Sequence, residues 1–525
     1  MSPDTTPLDE DIAMVEAREA FEREIGVTGI DVVKVHAGNR TFLKFVVGRE
    51  APLYLHALRT AQHALSPDNP FAGALSLELR RSETFPRSLE ANALLTLLTR
   101  STREVSQDSA GQGFAVPYIP FQNREDHQLA QPASHIVQGR RGVGKSTLIR
   151  RAISLLSTTP ALVAVLDMQA YSTLSSDDLT REVLHDLSAS LAHAAGSLAE
   201  RLHTNLDTSP LSQLGRQILA DQISVSRIAP ALKRAIAALT RKTANHAFIF
   251  LDDFHLIDPD SQPGLLHILH GGLKGANGWL KVAGLTSLLN YYSPRIRQGL
   301  QVPGDAQPIS LDLTLENPEA AEAHLRAILD SFLKAVGYSF SSTVIPEAAF
   351  KRLVWANAGV PRDFLQMFAR ALEHAQRNKH TSVTLSDVNV AIGEFGQRKM
   401  DDLERDARNA AGELRTTLSA LESYCLDENK VNAFLIRSEE SNERRLVHVL
   451  SDLRMVHLIH QSITPEKAGE RYEAFILDYS LFTGFRRRPN VREMVPAEAQ
   501  FKAAELRQLP KVAEGFLSRR TQAVQ

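Results

Sequence analysis

The stretch GRRGVGKST, residues 139–147, decides how the rest of the chain is read. It fits GxxxxGK[ST] at Gly139, Gly144, Lys145 and Ser146. Each part has a physical job. The glycines let backbone N–H groups turn inward around a row of phosphates, and Lys145 brings a cation to the same oxygens. Ser146 offers a hydroxyl to Mg2+, and the helix that follows points its positive end at the anion. The whole loop is expected to line the ligand: Gly139, Arg140, Arg141, Gly142, Val143, Gly144, Lys145, Ser146 and Thr147. Its context agrees, with the apolar HIVQG before it and KSTLIRRAISLL, a helix by its spacing, after it.

Working outward, HAFIFLDDFHLI is an apolar strand that ends in Asp252 and Asp253. A carboxylate at a strand tip can hold the water shell of Mg2+, and a second can polarise an attacking water. Asp252 is assigned to the metal and Asp253 to the water. Further buried strands are expected in ALVAVLDM (161–168), LKVAGLTS (280–287) and QPISLDL (307–313). Near-continuous apolar strands separated by helices indicate a parallel sheet covered on both faces, an α/β class. A helical stretch from about 175 to 242 breaks near DTSP and IAP, and all-helical sequence runs from NPEAAEAHLRAIL to about 406.

The remaining segments divide the chain further. Residues 10–85 read as a small α/β module with two strands around AGNR. A helix in PRSLEANALLTLLTRSTREV leads into a linker rich in Ser, Gly and Pro. The phosphate-binding core spans 115–315 and a helical lid 316–406. Residues 414–491 give helices, then RRLVHVLSDLRM, then two strands around SITPEKAGE, which is the outline of a winged helix-turn-helix. A polar helical tail is expected over 492–525.

Composition excludes several classes. At 525 residues the chain holds several domains, and a formal net charge of -2 gives no global pull toward nucleic acid or membrane. The lone Cys425 can neither staple the fold nor complete a zinc site, so it is read as a small buried apolar residue in a reducing cytosol. The acidic N-terminus is no secretory signal, and no apolar run reaches the roughly 18 residues of a membrane helix. The expectation is a cytoplasmic protein. His255, His267 and His270 lack the order of a metal motif and are read as structural.

With these residues in place, the chain resembles the AAA+ or STAND-type P-loop ATPases, on the side of the initiator, origin-recognition and transposition-regulator ATPases. GRRGVGKST is similar to their Walker A motif and FIFLDDFHLI to their Walker B motif. PFQNRED (120–126) resembles the box near the adenine, which implies a nucleotide contact for Arg124. LKVAGLTS resembles the sensor 1 strand, with Thr286 as the polar residue near the γ-phosphate and Ser287 as the alternative. NAGVPRDFLQMFARALEHA resembles the sensor 2 segment, with Arg362 reaching the phosphates, and TLSDVNVAI the end of the lid. The resemblance implies ATP and Mg2+ as ligands and a homo-oligomer as the working form. Departures are visible too. Roughly a hundred residues separate the two Walker motifs, which implies a helical insertion. Sensor 1 carries Thr or Ser instead of Asn, and an arginine finger can be sought only in Arg295 and Arg297 of YYSPRIRQGL.

No acceptor site for a second substrate is visible, so ATP hydrolysis is favoured over a kinase. What the energy does admits three readings. The first is a DNA-associated oligomeric ATPase. Arg444, Arg445, Arg454 and His448 are expected on the recognition helix, Lys467 and Arg471 beside the wing, and Arg486, Arg487, Arg488 and Arg492 behind it. Glu443, Asp452, Glu466, Glu470 and Glu473 dilute that charge. The second is a STAND-like switch, in signalling or anti-phage defence, acting through a protein partner at residues 10–85. The third, an ATP-bound scaffold without hydrolysis, is opposed by Asp253.

Overall fold

The apolar segments that end near the phosphate loop form one sheet, whose inner strands are buried on both faces and whose edge strands are partly exposed. The computed structural model describes residues 10–38, 40–80, 84–102, 114–243, 245–407, 410–465, 470–483, 488, 490–494 and 501–517. Strands β4 (His135–Gln138), β5 (Leu162–Asp167), β6 (Ala247–Asp252), β7 (Gly278–Gly284) and β10 (Gln307–Ser310) are all parallel, in the order β10–β4–β7–β6–β5. Alternation sends Ile249 and Leu251 of β6 to one face and Phe248 and Phe250 to the other, each into its own apolar cluster. The α/β P-loop fold expected above is the fold observed.

Helices α4 (Glu125–Leu129) and α5 (Lys145–Leu156) flank β4. Between β5 and β6 lies the anticipated insertion, α6 (Ser176–Leu202), α7 (Ser209–Leu219) and α8 (Val225–Thr243). The break near DTSP is present, but the one at IAP is not. α8 runs through Pro230, its sixth residue, and forgoes there the backbone hydrogen bond that would have reached the Ser226 carbonyl. The chain breaks instead between Leu219 and Val225. α9 (Gln262–Leu273) precedes β7, and a short hairpin of β8 (Tyr292–Ser293) and β9 (Gln298–Gly299) follows it, unforeseen in the sequence. Gly299 is required there, since a side-chain carbon would lie 2.2 Å from the Tyr291 carbonyl oxygen.

The first segment comprises α1 (Glu10–Ile25), β1 (Val32–Ala37), β2 (Arg40–Val47), α2 (Pro52–Ala64), β3 (Leu75–Leu79) and α3 (Leu89–Thr102). β1 and β2 form the expected hairpin, and β3 joins β2 in parallel. Phe21 of α1 stacks on Phe45 of β2 at 4.2 Å. This segment does not stand apart. α3 lies against the lid, where Gln376 donates to Asn92 and the Arg49 guanidinium sits over the Tyr338 ring. The lid is α10 (Pro318–Ala335), α11 (Glu347–Asn357), α12 (Pro361–Arg377) and α13 (Leu385–Ala407).

The last segment runs α14 (Ala411–Glu422), β11 (Ala433–Arg437), α15 (Asn442–Asp452), β12 (Val456–Ile463) and β13 (Tyr472–Leu477). Its strands are antiparallel in the order β11–β13–β12. Ser441 caps α15 by accepting from the Arg444 N–H at 3.1 Å. Of the expected polar tail helix the described residues include α16 (Ala503–Leu506), after which the chain extends along β11, with Leu435 and Lys511 bridged in parallel. One apolar cluster joins the first segment, the lid and the last segment. Cys425 is fully buried within it. Among the described residues no helix is long and apolar enough to cross a membrane.

Candidate nucleotide site

The phosphate loop joins β4 to α5 at the edge of the sheet where β6 and β7 also end. Gly142 and Gly144 take left-handed backbone angles (φ 81° and 107°), which only glycine adopts without strain. Gly142 also has no room for a side chain, because a carbon there would meet Val360 at 3.0 Å and Arg362 at 3.1 Å. The start of α12 thus presses on the loop, and the Arg362 N–H donates to the Gly142 carbonyl at 3.3 Å. This brings the backbone of Arg362, the residue compared above with sensor 2, to the loop.

Lys145 is buried, and its ammonium donates to the carbonyls of Gly139 (2.7 Å) and Arg140 (3.0 Å). Burial holds its pKa below the usual lysine range, opposed by Asp253, Asp312, Asp252 and Asp452. The Ser146 hydroxyl lies near enough to the Asp252 carboxylate to favour its charged form, so the loop hydroxyl and the strand-tip acid meet across β7. Thr147 is exposed on the outer side of α5. Asp253 has left-handed backbone (φ 50°), which turns the second carboxylate out of line with the strand. Burial first, then the Asp252 carboxylate, pushes the Asp253 pKa up to about 6. Burial likewise raises Asp252.

Two neighbours were missed. Asp167, registered beside Asp252 on the adjacent strand, adds a third carboxylate to the cluster. His255, read above as merely structural, places Nδ1 3.9 Å from Asp253. The signal for Asp167 was its place at the end of an apolar strand, the same as that of Asp252.

An oxygen-rich, mutually repelling acid cluster beside a lysine fits a divalent cation carried with a polyphosphate. Ser146 and Asp252 would hold Mg2+, which when bound supplies charge neutralisation to the phosphates. Among the described residues no three His, Cys, Asp or Glu side chains are arranged to hold a metal ion by themselves.

Other residues of the expected set lie elsewhere. The Arg140 guanidinium turns away from the loop cavity. It bonds Asp312 (Nε, 3.1 Å) and the carbonyls of Leu313 (3.0 Å) and Ala358 (2.9 Å), tying the loop to β10 and the lid. Arg141 reaches Asp402 of α13 at 3.6 Å. Arg124 engages Asp126 and His127 on α4. Thr286 is exposed at the end of β7, where it lines a small polar cavity with Arg140, Ser287, Asp312 and Asp452. Arg295 and Arg297 are exposed at the tip of the β8–β9 hairpin, so the fold does not bring them to this chain's own phosphate loop.

The basic residues of the expected recognition helix are largely spent. Arg444 bonds Glu473 at 2.7 and 3.0 Å and His448 bonds it at 2.8 Å. Arg454 is not on α15. It follows the helix with left-handed backbone (φ 68°), is buried, and pairs with Asp363 and with Asp402 (2.6 Å). Lys467, Arg486 and Arg487 lie outside the described residues.

Buried histidines make the fold sensitive to acid. Burial lowers both His324, stacked on Phe121 at 4.8 Å, and His457, bonded to Asp478 at 2.7 Å, to about 4. Both imidazoles are therefore neutral in the fold and take up protons more readily when unfolded. Their stabilisation is complete above about pH 6.5 and is lost as pH falls toward about 4, each unit being worth about 1.4 kcal/mol. The melting temperature should drop across that window, and His324→Phe should flatten the drop. A flat profile in the unaltered protein would refute this.

Comparison with known proteins supports the motif reading. A family model described as AAA ATPase domain matches residues 125–272. Residues 125–272 are thus similar to an AAA ATPase domain. No curated protein matches it. Among solved structures, the ORC1 protein of Aeropyrum pernix in complex with DNA is 17% identical, with 69% of this chain and 91% of that one covered and a TM-score of 0.35. The ORC2 protein of the same organism is 13% identical, covering 80% and 98%, with a TM-score of 0.38. The RuvB Holliday junction branch migration motor of Thermotoga maritima is 13% identical, covering 58% and 80%, with a TM-score of 0.30. Likeness at these scores is loose, and the assignment rests on the family match and the motifs.

Proposed function

We propose that the chain binds ATP with Mg2+ and hydrolyses it, and that turnover drives a conformational switch in a homo-oligomer. The observation that carries this is the meeting of Ser146 with Asp252 beside buried Lys145, with Asp253 one residue further on. In this reading Lys145 and the loop N–H groups hold the phosphates, Ser146 and Asp252 hold the metal, and Asp253 orients water. Thr286 and Arg362 sense the γ-phosphate, and Arg295 or Arg297 serves a neighbouring subunit's site. Arg124 lies on the adenine side. The division into a module at 10–85, a core at 115–315, a lid at 316–406, a winged-helix-like unit at 414–491 and a tail belongs to the same reading.

Double-stranded DNA is the first effector we assign to this switch, on the resemblance to initiator ATPases and the exposed Arg445, Arg295 and Arg297. A protein partner is the second. It is favoured by the pairing of Arg444 and His448 with Glu473, which removes two basic groups from the surface of α15. Hydrolysis by the purified protein, with and without double-stranded DNA over a salt series, separates them. Stimulation that fades steeply with salt is the expected result, because each phosphate contact releases a counterion. Hydrolysis indifferent to DNA at every salt concentration would move the assignment to the protein partner.

A further inference from the structure

β11 is an outer strand of its sheet, and its free edge is covered by the C-terminal stretch of the chain. The cover runs parallel to it and touches it twice, with Arg492 beside Val431 and Lys511 beside Leu435. The second contact has a built seat. The Leu435 N–H donates to the Pro510 carbonyl and the Val512 N–H to the Leu435 carbonyl, both at 2.8 Å. The Tyr424 hydroxyl, just beyond α14, donates to the Lys511 carbonyl at 2.7 Å. At the start of α15 the buried Glu443 carboxylate accepts from the Gly515 N–H at 3.2 Å and the Leu517 N–H at 3.0 Å. The seat thus reads five main-chain groups. It also buries Leu506, Leu509, Val512 and Leu517 in the apolar cluster that holds β11. A sheet edge takes an added strand in this way, with main-chain bonds for affinity and sockets for side chains.

The covalent path to this seat is far longer than the gap it crosses. Val431 and Leu435 are separated by about 13 Å of strand, yet nineteen residues join Arg492 to Lys511. The start of that path is fixed. Glu493 pairs with Arg352 of α11 at 2.7 Å, and the Met494 N–H donates to Asn432 at 2.7 Å. Further on, Phe501 rests edge-on against Trp355 of α11 at 5.6 Å. From Met494 to Leu509 the chain can extend about 50 Å, twice the radius of gyration of about 24 Å expected for 525 residues.

We propose that residues 506–517 are exchanged between copies, each segment lying on the β11 edge of a neighbouring copy. The inference rests on the homo-oligomer of the proposed function. The occupant is a second copy because vacating the seat exposes an unpaired edge strand and the sockets of four apolar side chains. The same segment of another copy restores all five main-chain bonds and all four side chains, so the seat loses no contact in the exchange. A lone chain keeps its own segment, because the tether holds it beside the seat at an effective concentration of about millimolar. In an assembly the neighbour's tether does the same, and its length reaches across.

Two full-length variants test this, Arg437→Cys beside the seat and Glu514→Cys on the segment, because the native side chains pair there at 3.7 Å. The native Cys425 is buried and does not compete for a thiol reagent. The variants, carrying tags of different size, are mixed with AMP-PNP and Mg2+, joined with a bis-maleimide and resolved on a denaturing gel. Light scattering on the unlinked mixture gives the size of the assembly. The Arg437→Cys with Glu514→Cys heterodimer should exceed, by about tenfold or more, the one formed with Glu200→Cys, an exposed position on α6. An assembly without that excess, while the double variant Arg437→Cys/Glu514→Cys links within one chain, overturns the exchange and leaves the homo-oligomer standing. A double variant that does not link within the chain or between chains overturns the seat itself. Absence of any assembly overturns both the exchange and the homo-oligomer.

Discussion

Lys145→Ala should weaken ATP binding more than about a hundredfold, and Asp253→Asn should bind ATP normally yet lose turnover by about two to three orders of magnitude. The two results differ because the residues act at different stages. Lys145 is the buried cation of the phosphate loop, and its ammonium now sits on two loop carbonyls that a phosphate would replace as its partners. Removing it takes away the main charge that offsets the ligand. Asp253 lies one residue beyond the metal-holding carboxylate, and an amide there keeps the shape but cannot draw a proton from water. Titration with a fluorescent ATP analogue and phosphate release on the same preparations would check both. Full turnover by Asp253→Asn would remove it from the water-activating role, and tight binding by Lys145→Ala would remove the loop from the phosphates.

Arg454→Ala should destabilise the protein by about 3–5 kcal/mol, the usual effect of stranding a buried ion-pair partner. Arg454 is among the largest fully buried side chains, and Asp363 beside it is wholly buried. With the guanidinium gone, Asp363 keeps only Lys399 at 3.6 Å, and Lys399 is already shared with Asp478. The opposing charges near it no longer balance. Lys399→Met should act similarly, because it leaves the buried Asp478 carboxylate with uncharged partners alone, Ser480 and the His457 imidazole that burial keeps neutral. Denaturant unfolding at pH 7 measures both. A loss under about 1 kcal/mol, typical of exposed pairs, would mean that water reaches the network.

Much of this site was legible because phosphate chemistry leaves a local trace. A glycine-rich turn, a lysine and a hydroxyl must stand at fixed spacing between a strand and a helix, and residues 139–147 do so. Strand-tip carboxylates are local in the same sense, and Asp252 and Asp253 were found that way. Arg140 and Arg454 were misread for the opposite reason. A basic residue looks the same in sequence whether it faces a ligand, solvent or a distant acid. The partner of Arg140 is Asp312, across the sheet, and those of Arg454 are Asp363 and Asp402, on the lid. The docking of Asp452 on Ser287 is likewise set by how the units fold together and not by either neighbourhood. Pro230 misled by rule, since proline ends most helices, yet α8 carries it at the sixth position and forgoes one backbone hydrogen bond.

The shared core of the first segment, the lid and the last segment has a consequence for synthesis. α3 leaves the ribosome about 260 residues before the lid helix α12 on which it packs, a delay of roughly 13 to 50 s at ordinary elongation rates. During that interval the part of its apolar face that meets the lid has no partner of its own chain. The nascent protein must then carry a sticky surface while the whole nucleotide-binding sheet is made, which makes early chaperone dependence and sensitivity to translation speed properties of its topology.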